Sequence, residues 1–169
     1  MPTIVLSAVH LGPLPLVLPH GGTFQAPRLR FHCLLRLPEH LLPRDGIVDT
    51  GAPLSCFPLS IWTSFRFGTD FEWLPFEAGF TPPTGQMIGW RYTFRIARFL
   101  VPLSLMDYAT EVDRHNVIAA FADTDPPAPA ARLALPPIII GLWGGLLEGG
   151  KLAVSRTAAG QVAGELDLP

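Results

Sequence analysis

Between residues 29 and 37 apolar side chains recur at every second position: Leu29, Phe31, Cys33, Leu35 and Leu37 alternate with Arg30, His32, Leu34 and Arg36. A period of two belongs to a strand with one face against a core, so this segment is predicted as a half-buried β-strand. The same pattern covers 88–96, where Ile88, Trp90, Tyr92, Phe94 and Ile96 alternate with Gly89, Arg91, Thr93 and Arg95. Shorter apolar runs predict further strands at 3–9, 14–18, 46–49, 71–74, 99–105, 117–121, 137–140, 151–155 and 162–168. Helical signals are confined to 59–67, which follows Pro58 and has Ser60 as a candidate cap, and to 142–147 between glycines. Many short strands beside one or two short helices predict an all-β barrel or sandwich. The segment 77–89, rich in glycine and proline, reads as a hairpin tip leading into the second clear strand. The proline- and alanine-rich stretch 123–137 reads as an irregular loop.

Composition sharpens this picture. The chain has 169 residues, one domain's worth, and its 19 prolines disfavour long helices because each interior proline removes a hydrogen bond and clashes with the preceding turn. Only 15% of residues are charged, against about a quarter in an ordinary soluble domain, which predicts a face covered by a partner. A net charge of -2 without a Lys/Arg cluster argues against nucleic acid and against an anionic membrane surface. Residues 1–18 lack a basic leader and are broken by Pro13 and Pro15, and 138–147 is too short to span a bilayer, so a soluble, cytoplasmic protein is expected. Cys33 and Cys56 show no paired-cysteine spacing and read as small buried apolar residues.

The chemistry-bearing stretch is Gly46-Ile47-Val48-Asp49-Thr50-Gly51-Ala52-Pro53-Leu54-Ser55, in which a short apolar strand runs into a carboxylate and a tight turn. An Asx-turn, with Asp49 bonding the backbone two residues on, would explain the aspartate without any function. A second segment, Pro137-Ile138-Ile139-Ile140-Gly141, is another apolar strand ending in glycine.

Together these two motifs resemble the single-domain retropepsin-like aspartic protease family, from about Leu29 to the C-terminus. Residues 1–27 lie outside the likeness and either add interface strands or shield apolar surface. The resemblance implies a closed β-barrel, half of an acid-protease fold, in one domain over 1–169. It also implies a homodimer whose active site takes one Asp49 from each subunit and acts on polypeptides, with neither metal nor cofactor. Two carboxylates held within about 3 Å share a proton: the ionised one draws a proton from a held water, while the protonated one hydrogen-bonds the developing oxyanion. By the same resemblance Thr50 braces the two loops across the dimer, Gly51 makes room for substrate backbone, Ala52 lines the site and Ser55 supports the loop. Ile139, Ile140 and Gly141 would form the strand behind it and contribute to pocket walls, with Ile138 read as core, and Gly85 and Met87 are the candidate flap residues. Retroviral members carry an Asp two places after the motif glycine and an Arg just after the later glycine. Here those positions are Pro53 and Leu142, a joint loss that leaves no uncompensated charge.

A catalytically silent module of the same fold, dimerising or binding peptides, shares all these features; the intact Asp49-Thr50-Gly51 argues against it. The run from Gly145 to Lys151 fits G-x-x-x-x-G-K, but Leu152 stands where a phosphate-binding loop needs Ser or Thr, and a strand is predicted where that loop needs a helix. His10, His20, His32, His40 and His115 show no metal-ligand spacing and read as structural or surface residues. Trp62, Trp73, Trp90 and Trp143 read as core or interface anchors.

Overall fold

The computed structural model describes residues 1–38, 40–75, 84–87, 90–123 and 137–169. It is nearly all β. The chain opens with two long strands, β1 (Thr3–Val17) and β2 (Thr23–Arg36), joined by a tight turn in which Gly21 and Gly22 have φ of 77° and 99°, a region open to glycine. The sequence predicts separate strands at 3–9 and 14–18; they are one strand because a register shift between Leu11 and Leu14 absorbs Pro13, which has no N–H to donate. Arg28 Nε donates to the Gly12 carbonyl at this irregularity, 2.8 Å away.

Next come β3 (Arg44–Val48), β4 (Ser55–Phe57), a one-turn helix α1 (Leu59–Trp62) and β5 (Phe71–Trp73). The remaining strands are β6 (Thr84–Met87), β7 (Trp90–Phe99), β8 (Leu103–Met106), β9 (Glu111–Arg114), β10 (Ile118–Ala122), β11 (Ile138–Ile140), β12 (Lys151–Arg156) and β13 (Val162–Asp167). Pairing runs in the order β12-β13-β1-β2-β3-β11-β4-β10-β7-β5, with β8 also on β2, β9 on β8 and β6 on β7. The pairs β3–β11 and β4–β10 are parallel and the others antiparallel. Among the described residues the path is open and mixed, where the family resemblance leads one to expect a closed barrel.

In the first alternation Cys33, Leu35 and Leu37 share the buried face. Of the second, Ile88 and Gly89 lie outside the described residues; Phe94 and Ile96 turn to the smaller cluster while Ala97 and Phe99, on the opposite face, turn to the main core, so the end of this strand is covered on both sides. The central strands are covered on both faces, which is why Ile138, Ile139 and Ile140 are all apolar. On one face Ile138 and Ile140 join the main core with Phe57, Phe99 and Phe121, where the rings of Phe57 and Phe121 stack at 5.5 Å. On the other, Ile47, Ile139, Cys56, Ala120 and Ile96 form a row across β3, β11, β4, β10 and β7. Trp62 anchors α1 to the core by donating its indole N–H to the Ala122 carbonyl, 2.8 Å away.

Several expected elements differ. The strand expected at 99–105 is two, because β7 ends at Phe99 and Pro102 precedes β8. The helix expected over 59–67 stops at Trp62, and Pro58, not Ser60, is its N-cap. No helix forms at 142–147: Gly144 and Gly145 adopt φ of 85° and 101°, so the segment is a series of bends that buries Leu146 and Leu147. Among the described residues no helix is long and apolar enough to cross a membrane.

Candidate active site

Strand β3 delivers Asp49 to the surface at its C-terminal end, and the parallel ladder continues one residue further as Asp49 N–H donates to the Ile140 carbonyl at 3.0 Å. The chain then turns tightly. Ala52 N–H donates to the Asp49 carbonyl at 3.2 Å, and Gly51 N–H donates to Asp49 Oδ1 at 2.9 Å. The Asx-turn offered by the sequence is therefore present. The second carboxylate oxygen makes no hydrogen bond among the described residues, and Asp49 and Thr50 are both exposed.

The loop returns as β4, so its two ends flank β11: β3 lies parallel on one side and β4 antiparallel on the other. Gly141 ends β11 under this loop. It is buried, and a side chain there would collide with the carbonyl of Leu54, so the close approach of two backbones demands glycine. Its N–H donates to the hydroxyl of fully buried Ser55 at 3.0 Å. Beyond it, Leu142 N–H donates to the Ala52 carbonyl at 2.9 Å and Trp143 N–H to that of Pro53 at 2.8 Å. The two motifs, distant in sequence, are thus stitched into one unit. Ser55→Ala is expected to strand the Gly141 N–H in the interior and to lower stability by about 1–3 kcal/mol, read by denaturant unfolding.

The remaining expected residues divide. Ala52 is half-buried and packs with Ile139, which is 9% exposed, in the smaller apolar cluster behind the loop. Ile140 is a correction: strand alternation turns it into the main core at 0% exposure, so within this chain it is not a pocket wall. Gly85 and Met87 lie on β6, whose backbone pairs with β7 through Gly85–Tyr92 and Met87–Trp90; residues 77–83 and 88–89 of the segment expected as a flap lie outside the described residues. Lys151 opens strand β12, not a helix, which is not the geometry of a phosphate-binding loop.

Sequence reasoning overlooked Arg114, whose guanidinium donates to the carbonyls of Gly145 and Glu148, both at 2.8 Å, and so fixes the segment following Gly141. Nothing in a local pattern announces a side chain that binds distant carbonyls. Trp143, 60% exposed, stands on the surface beside the Asp49 loop.

Cys56 lies in the row behind the loop, and its thiol is pushed up to about 11, first by burial and then by the negative charge of Asp49. Cys33, deeper, is raised to about 12 by burial and by Asp45. At mild alkaline pH the thiolate fraction of Cys56 is on the order of 100-fold below that of an ordinary cysteine, and its alkylation by iodoacetamide is expected to be slower in proportion. Asp49→Asn removes one of the two causes, so Cys56 should then react faster; an unchanged rate would separate the carboxylate from the thiol. Among the described residues no three His, Cys, Asp or Glu side chains are gathered as metal ligands.

Comparison with protein-family models, with curated proteins and with solved structures finds no match to this chain.

Proposed function

We propose that the chain is an aspartic endopeptidase of the retropepsin-like kind, active as a homodimer that takes one Asp49 from each subunit. The observation that carries this reading is the placement of Asp49: an exposed carboxylate at the end of a strand, in a tight turn bonded across the Gly141 strand end. In such a dimer the two carboxylates share a proton, one acting as base on a water and the other donating to the carbonyl oxygen of the scissile bond. An extended polypeptide would lie across the pair, adding its backbone as a strand beneath the β6–β7 hairpin. The acid-protease half-fold belongs to this proposal, and the threading of β11 between β3 and β4 supports it.

The homodimer draws support from apolar side chains left on the surface. Leu14, Leu16, Leu18 and Phe24 on the β1–β2 hairpin are 42–54% exposed, and within the chain residues 9–17 and 23–30 pair only with each other among the described residues. A two-stranded ribbon of this kind has little stability alone and gains it by packing against another surface.

A catalytically silent peptide-binding module fits the same geometry, and the bond from Gly51 to Asp49 gives it an independent footing, because that bond holds the turn whether or not the carboxylate reacts. Cleavage of a mixed peptide library from acidic to neutral pH, with and without a statine-type transition-state mimic, separates the two. Inhibitable cleavage that fades as the pH rises and the shared proton is lost supports the protease. Peptide binding by a dimer without cleavage supports the silent module.

A further inference from the structure

The register of the β1–β2 ribbon shows what each of its faces carries. Leu14 stands opposite Ala26 and Leu16 opposite Phe24 on one face, and Val17 stands opposite Thr23 on the other. Leu14, Leu16 and Phe24 are exposed on the first face, Val17 is 79% exposed on the second, and Leu18 is exposed where the turn begins. Apolar groups therefore meet water on both sides of the ribbon and at its tip. A protein surface, a second copy included, covers one face of a ribbon and leaves the other in water. A lipid surface takes in both faces and the turn, so the second face decides between the two occupants.

Charge is divided along the chain in the same way. No charged side chain precedes Arg28, and residues 1–38 hold Arg28, Arg30 and Arg36 without one Asp or Glu. Nine of the 12 Lys and Arg and all 14 acidic residues lie beyond, so the net charge of -2 divides into +3 over 1–38 and -5 over 39–169. The overall charge, which by itself disfavours an anionic surface, conceals this division. Arg36 is taken by Glu111 at 2.9 Å, whereas Arg28 and Arg30 make no ion pair among the described residues. By alternation both continue the face of Phe24 and Ala26, about 13 and 20 Å behind Phe24 along the strand. That face passes from apolar at the tip to cationic at the base, the order in which a bilayer passes from acyl chain to anionic headgroup. Pro13 and Pro15 take two N–H donors off β1, which lowers the cost of drawing the ribbon out of bulk water.

From these features we infer that the tip of the β1–β2 ribbon docks on an anionic phospholipid bilayer. With the ribbon tilted, Leu16, Val17, Leu18 and Phe24 enter the boundary between headgroups and acyl chains, while Arg28 and Arg30 meet the charged headgroups. Insertion stops within about 5–10 Å of that boundary. An open ribbon edge carried deeper would strand its backbone carbonyls in hydrocarbon. A neutral bilayer offers the apolar contact alone, and nucleic acid offers nothing to match the apolar tip. The inference does not rest on the protease reading, because the Asp49 loop takes no part in it.

The test is flotation of the full chain with vesicles of phosphatidylcholine alone and of phosphatidylcholine with phosphatidylserine, beside sedimentation velocity without lipid. The expected result is binding to the anionic vesicles that falls at high salt, with neutral vesicles bound more weakly by about 10-fold or more. Leu16→Ser combined with Phe24→Ser should lower binding to the anionic vesicles by at least about 10-fold. Arg28→Gln combined with Arg30→Gln should bring that binding down to the level seen on neutral vesicles. None of these four side chains belongs to the buried core, and circular dichroism checks that each variant keeps the fold. Should a variant misfold, the wild type on the two vesicle compositions decides alone. No binding to the anionic vesicles, equal binding to both compositions, or binding that the Leu16 and Phe24 substitutions leave unchanged overturns the inference. Self-association lost in that double variant, without vesicle binding by the wild type, also overturns it and assigns the ribbon to a second copy.

Discussion

Asp49→Asn is expected to abolish peptide-bond cleavage while leaving fold and assembly intact. Asparagine matches aspartate in shape and keeps the oxygen that accepts the Gly51 N–H, so the turn that exposes residue 49 survives. It cannot take a proton from water at neutral or acidic pH, and in a homodimer the single substitution removes both members of the shared pair. Loss of general acid–base catalysis typically lowers rate by 10²–10⁴-fold, and a decrease of at least about 10³-fold is expected here, measured on a cleaved library peptide. Mixing wild-type and Asp49→Asn chains supplies a second readout. Exchange into mixed dimers should lower activity below that of the wild-type portion alone, because a site with one aspartate and one asparagine lacks the pair. Activity strictly proportional to wild-type chain would mean that each chain works by itself.

Gly141→Ala is expected to be the most destabilising of the small substitutions around the site. The added methyl would collide with the Leu54 carbonyl and approach the Ser55 nitrogen to 2.8 Å, and both are backbone atoms held in β4 and its approach. No side-chain rearrangement relieves such contacts, so β11 must move away from the Asp49 loop. A cost of about 3 kcal/mol or more follows, corresponding to a fall in Tm of roughly 6–12 °C for a domain of this size. The same movement would break the bonds from Leu142 and Trp143 to the loop, and cleavage should fall with stability. Gly51→Ala provides the contrast. Its methyl would meet only Asp49 Oδ1 at 3.2 Å, so the stability change should be small, and any loss of cleavage would report on the site.

Much of this architecture is written in local patterns. Alternation at 29–37 marks β2 because Cys33, Leu35 and Leu37 share a face with the core, and the apolar run before Asp49 marks β3. The pairing of the Asp49 loop with Gly141 was accessible only through the family resemblance, since nothing in either segment names its partner. Elements that escaped are those whose character is set by neighbours. Strand β4 has three residues, too few to show a period, and β9 reads Glu-Val-Asp-Arg with only Val112 turned inward. The apolar series from Leu142 to Leu147 suggests a helix, yet Gly144 is needed at positive φ so that its carbonyl can accept the Ile118 N–H at 2.7 Å. In the β1–β2 hairpin the reverse holds: Leu14 and Leu16 alternate as core residues do, but the turn carries them away from the core into solvent. The 2.6 Å contact of His32 with Asp45, between β2 and β3, depends on strand register, which alternation alone does not define.

The central claim, one catalytic centre built from two chains, is tested most directly by native mass spectrometry of the protein with a statine-type mimic, under the conditions used for cleavage. The expected result is a species of two chains carrying one mimic, absent when both chains carry Asp49→Asn. A single chain holding its own mimic, or a wild-type dimer that takes up two, would contradict it.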